Sequence, residues 1–178
     1  MLRQTPVQHI REKLQEAEYF LGGVRHFSGA IDQLVAEGFG PFTPSGYPLV
    51  RQLQYHLSAM LSAFQCALNY MQRECTSDDA KRWYTKVEGQ KLVEAFGALR
   101  NSDVHDETIS TTHQTTIVHG VSHRCDMMLS AEALATTKNL GARPKVVKVL
   151  TSRPIVELAS EAYQHLARAV DRVPGRGV

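Results

Sequence analysis

Apolar residues recur at helical spacing along most of the chain. Thr5-Pro6 begins the first such pattern with a capping residue and a proline suited to the first helical position. Val7, Ile10, Leu14, Ala17, Leu21, Val24, Ile31 and Leu34 continue it as far as Glu37-Gly38. The Gly22-Gly23 pair within it signals either a bend or a close helix contact. Gly38 to Tyr47, rich in Gly and Pro, reads as a loop. Pro48 opens a second long helix ending near Glu74, with Leu49, Leu53, Leu57, Met60, Leu61, Phe64, Leu68 and Met71 as its buried stripe. Thr76-Ser77-Asp78-Asp79 is a start signal, its acids suited to the positive helix end. A helix holding Trp83 is predicted to follow and to break at Gly89. Leu92, Val93, Phe96 and Leu99 then mark a core helix running into Arg100.

Beyond His105 the pattern changes. Ile109 to Val121 is rich in threonine and β-branched residues, which predicts strand or extended loop. Met127 to Leu140 has no clear period, although Ala131 to Ala135 fits a short helix. Lys145-Val146-Val147-Lys148-Val149-Leu150 reads as a strand, with Thr115–Val121 as its candidate partner. Ser152-Arg153-Pro154 opens the last helix, where Ile155, Leu158, Ala162, Leu166 and Val170 repeat. Residues 173–178 read as a frayed tail. The expected fold is mainly α: a single domain over residues 1–178, an up-and-down four-helix bundle. A partly β or irregular insertion, about 107–151, precedes the last helix.

Composition narrows the function classes. With 178 residues, 43% hydrophobic and 21% charged, the chain has the make-up of a globular domain with a real core. No apolar run is long enough to span a bilayer and the N-terminus lacks a signal-peptide core, so the expectation is a cytoplasmic protein without membrane association. Three cysteines, Cys66, Cys75 and Cys125, do not make a disulfide framework. Net charge is +2, but residues 139–178 hold seven Lys or Arg against three acids, +4, which leaves −2 on residues 1–138. That bias hints at an anionic partner; a solvated basic face accounts for it as well.

The chemistry concentrates at Arg100-Asn101-Ser102-Asp103-Val104-His105. Arg100 is a permanent cation whose planar fork matches two phosphate oxygens. His105 exchanges a proton near neutral pH. Asn101 can orient the imidazole or contact phosphate. Together they suit cleavage of RNA without a metal or other cofactor: a base takes the 2′-hydroxyl proton, that oxygen attacks phosphorus, and a cation stabilises the pentacoordinate charge. Asp103, with Tyr55 and His56 on the second helix, are candidate substrate contacts. On a continuous helix Arg100 and His105 diverge by about 140°. Either the helix ends near Asn101 with a turn at Ser102-Asp103, or two chains share the site. A structural reading stays open, in which Arg100 and Asn101 cap carbonyls at their helix end and His105 bonds Asp103 or Asp106.

Leu99-Arg100-Asn101 followed by His105, after a buried helix, resembles the signature of the HEPN superfamily: an arginine, a polar residue and a histidine four to six positions on. In residue detail the resemblance covers about 95–106; in outline it covers 6–172. Tyr55 and Trp83 are similar to residues of a bacterial HEPN-like subgroup. The resemblance implies a helical bundle, a homodimer with two motifs across one cleft, and an endoribonuclease yielding a 2′,3′-cyclic phosphate and a 5′-hydroxyl. It also implies a toxin or defence role with a protein antitoxin as partner. The alternative it implies is a catalytically inactive dimeric module that binds a protein partner or a nucleotide.

Other candidates are weaker. His113, His119, His123 and Cys125 follow no established zinc spacing, so no metal is expected. Lys81-Arg82 and Lys145, Lys148 and Arg153 are candidate contacts to an RNA backbone. His9, His26 and His165 stand singly on helices, and Trp83 fits a packing anchor. No Walker loop, GxSxG or HExxH motif occurs.

Overall fold

The computed structural model describes residues 6–74, 90–105, 109–118 and 122–171. The start signal at 76–79, the helix around Trp83, the break at Gly89 and the tail at 173–178 lie outside these residues.

Two long helices form the base of the molecule. α1 (Pro6–Ala36) and α2 (Tyr47–Glu74) make the most extensive helix–helix contact in the described structure. α1 turns Ile10, Leu14, Ala17, Leu21, Val24 and Ile31 inward, and α2 answers with Leu53, Leu57, Met60, Leu61, Phe64 and Met71, all buried. This is the apolar stripe a 3.6-residue repeat produces. Gly38, at φ 90°, ends the α1 run in the left-handed conformation that a side chain resists. α3 (Gln90–His105) packs on α2, with Leu92, Val93, Phe96 and Leu99 in the core. The Phe64 and Phe96 rings meet at 6.0 Å.

The insertion is now specific. β1 (Thr111–Val118) and β2 (Ser122–Leu129) form a two-stranded antiparallel sheet, with Thr115 opposite Cys125 and Ile117 opposite His123. The inward positions Thr111, Cys125, Met127 and Leu129 are buried, and β2 lies against α1. There the Cys125 backbone N–H donates to Asp32 Oδ1 at 2.6 Å. Ser130 caps the short α4 (Ala131–Thr136), its Oγ accepting from the Ala133 N–H.

Residues 145–150 correct a sequence-based expectation. They form a helix, α5 (Pro144–Leu150), and the partner of β1 is β2. β-branched content suggested a strand, but Pro144 at the helix start outweighs it. The apolar residues at 146, 147, 149 and 150 also fit a helical face. Val146, Val147 and Val149 pack partly buried on the core, and Leu150 is fully buried. α6 (Ile155–Asp171) completes the core against α1 and α3, with Ile155, Leu158, Ala162, Leu166 and Val170 buried. The guanidinium of Arg153, which donates to Glu161 at 2.6 Å, holds that carboxyl below its ordinary pKa. The protein is thus mainly helical with one small antiparallel sheet. Among the described residues, no helix is long and apolar enough to cross a membrane.

Candidate functional site

α3 presents the Arg100 motif by simple helical phase. Leu99 points into the core, Arg100 is half-buried, and Asn101 is exposed. The helix then continues to His105 without a break. The first of the two alternatives, a turn at Ser102-Asp103, is therefore absent. Nothing in Asn-Ser-Asp-Val is a strong enough helix breaker to stop a helix already anchored by its buried face. Arg100 consequently stands more than one turn inside the helix rather than at its end. By the helical repeat, its Cα direction and that of His105 differ by about 140°. The side chains of Asp103 and His105 lie outside the described residues.

The Arg100 Nε is buried and has no hydrogen-bond partner among the described residues. An unpaired buried N–H on a permanent cation is a costly arrangement, worth about 1–3 kcal/mol if nothing relieves it. One turn earlier, Gly97 meets Gln65 of α2, whose Oε1 is also buried and unpaired.

Tyr55 and His56 occupy different surroundings. Tyr55 is 62% exposed. His56 turns toward α1, its ring 5.3 Å from Phe27 and 5.9 Å from Phe20. Gly23 makes room for it: a Cβ there would stand 2.1 Å from His56 Nδ1. Gln65, which meets α3, is nine positions further along α2, about 180° around the helix. His56 thus belongs to the α1 side of α2, where an open groove of about 640 Å³ is lined by Tyr19, Gly22, Gly23, His26, Phe27 and His56, among others. Of the Gly22-Gly23 pair, Gly23 makes the close helix contact, within an uninterrupted α1.

The helical form of 144–150 also changes the charge map. On a strand, Lys145 and Lys148 would point to opposite faces; three apart on a helix, they share one. Both are exposed, as is Arg143, and α5 packs directly on α3. Sequence reading placed these lysines on the wrong element and so missed their proximity to the motif helix. The proline at 144 was the signal that could have found it.

The histidine- and cysteine-containing segment arranges itself differently. His113 is exposed, its ring 5.6 Å from Phe42, whereas Cys125 is 2% exposed and faces the core. Burial, reinforced by Asp32 and Asp126, pushes the Cys125 thiol up to about 11, so it stays protonated at neutral pH. His119 lies outside the described residues, as does the His123 side chain. Among the described residues no three His, Cys, Asp or Glu side chains converge as a metal site. Comparisons with protein-family models, curated proteins and solved structures return no match, so the reading of the site stands on its own geometry.

Proposed function

We propose that the chain is an up-and-down four-helix bundle of the HEPN type. In this reading it is a metal-independent endoribonuclease, acting in the cytoplasm as a toxin or defence component, with its active site formed between two copies. The supporting observation is the half-buried Arg100, whose Nε has no partner among the described residues, beside the exposed Asn101. Such a fork is suited to an anion with several oxygens. The exposed Arg143, Lys145 and Lys148 next to α3 supply a track for the flanking phosphates.

The chemistry follows from the groups. His105 of one copy takes the proton from an RNA 2′-hydroxyl. The 2′-oxygen attacks the adjacent phosphorus, forming the O2′–P bond, while Arg100 stabilises the charge on the non-bridging oxygens. The P–O5′ bond then breaks, and the leaving oxygen takes a proton from a second imidazole or from water. A 2′,3′-cyclic phosphate and a 5′-hydroxyl remain. By the helical repeat of the unbroken α3, the Cα directions of Arg100 and His105 differ by about 140°, so in this reading the two groups at one phosphate come from different copies. A second copy can supply the missing partner, which makes dimerisation a condition of activity.

The test is purified protein with RNA in EDTA. Cleavage should persist there and fall by about 100-fold or more in Arg100→Ala and in His105→Ala. Cleavage that survives His105→Ala, or a strict monomer at micromolar concentration that is still active, would falsify the mechanism. A second reading, a catalytically silent dimeric module that binds a protein or a nucleotide, draws on the open groove beside Tyr19 and His56. No RNA cleavage, with saturable binding that Tyr19→Ala weakens, would favour it.

A further inference from the structure

We propose that Gln65 is the positioning residue for Arg100. It holds the Nε–H from behind so that the terminal amino groups turn outward to the anion. The inference rests on reading Arg100 as an anion-binding cation. α2 and α3 are pinned together where the Phe64 and Phe96 rings meet. The next residue on each helix is in contact as well: a Cβ on Gly97 would stand 3.0 Å from Gln65 Oε1. The Gln65 Nε2 donates to Asn69 Oδ1 at 3.0 Å within α2, which leaves Oε1 on the Gly97 side. Its oxygen is therefore the atom turned toward α3.

Among the described residues that oxygen is buried without a donor, and Arg100 Nε is buried without an acceptor. Gly97 and Arg100 are three apart, so their side-chain directions differ by only about 60° and they line the same seam. Two unpaired polar atoms of opposite sense, on facing helices about one turn apart, are complementary. A rotation of either side chain, or a bridging water, would join them and remove both penalties. The consequence for chemistry is specific. With Nε held, the guanidinium can meet a phosphate only through its two terminal amino groups, the end-on bidentate form. Gly97 has a role here too, since any side chain there pushes the carboxamide away.

The Arg100 Nε–H resonance in a ¹H–¹⁵N spectrum reads this link directly and does not depend on catalysis. Arg100→Lys identifies the signal by removing it. In Gln65→Leu and in Gly97→Ala the signal should shift and exchange with water about tenfold faster, the amide having lost its hold. Gln65→Glu, which keeps an acceptor in place, should preserve slow exchange. An unchanged signal in folded Gln65→Leu overturns the proposal. If the wild type cleaves RNA, Gln65→Leu should lower kcat about tenfold with KM nearly unchanged, as misplacement of a transition-state group does. If the wild type cleaves no RNA, the ribonuclease reading fails, and the exchange result still decides whether Gln65 holds Arg100.

Discussion

The two seams of α2 are built alike and end differently. On the α1 side a glycine, Gly23, admits a polar ring, His56; on the α3 side a glycine, Gly97, admits a carboxamide, Gln65. Each leaves one buried polar atom of α2 without a partner among the described residues. In the first seam the glycine faces the body of an aromatic ring, which cannot move aside without leaving its place between Phe20 and Phe27. In the second it faces the tip of a flexible side chain, and a complementary donor, Arg100 Nε, lies a turn away. The first seam is thus a packing device flanked by an open groove. The second sets a carboxamide oxygen about one helical turn from a charged group. A glycine that permits close approach can serve stability or chemistry, and what it faces decides which.

Substitutions at these glycines sharpen the comparison. Gly23→Ala should destabilise the protein by about 1–3 kcal/mol in denaturant unfolding, overpacking outweighing the roughly 1 kcal/mol that alanine gains in a helix. His56→Ala should relieve the clash, so the double variant recovers stability, and simple additivity would show that the ring is not the obstacle. Gly22, one position earlier, has nothing within 4 Å of an added Cβ. Gly22→Ala should therefore stabilise by about 0.5–1 kcal/mol, and a loss there would mean that the groove surface is occupied in the folded protein.

Gly97→Ala should leave stability within about 0.5 kcal/mol of wild type, propensity offsetting the displaced carboxamide. Its effect should appear instead in Arg100. If it destabilises as strongly as Gly23→Ala, the two seams are equivalent and the contrast is lost. The smallest effect belongs to a control outside both seams. Glu161, held below its ordinary pKa chiefly by Arg153, contributes stability that is present above the unfolded carboxylate pKa and lost as pH falls through the folded value. The pair is well exposed, so Glu161→Gln should cost under about 1 kcal/mol near neutrality. The difference from wild type should vanish in acid. A difference that grows on acidification would contradict that sign.

The long helices were legible because each buries one face against a partner, and a buried face repeats every 3.6 residues whatever lies opposite. Leu57 and Phe64, or Ile155 and Ala162, could be read as core without knowing what they touch. Residues 145–150 were not legible on the same grounds. Six residues with three valines suit a short strand as well as two turns of helix; Pro144 before them was the one local signal for helix, and packing on α3 and the core decides it. The residues of the candidate site could be named for a chemical reason, since cation, amide and imidazole stand together in the chain. Gln65 could not, because nothing in its surroundings on α2 marks it.

The sequence by itself determined the helical character, the inward stripes of α1, α2, α3 and α6, and the identity of the Arg100-Asn101 and His105 groups. These follow from local periodicity and side-chain chemistry, which need no partner to be read. Tertiary structure alone decided that α3 runs unbroken through the motif, that Lys145 and Lys148 share a face beside it, and that Gln65 lies against Gly97. Each of these depends on which surfaces meet. Burial and hydrogen-bond pairing are properties of two segments at once, and no single stretch of chain contains both.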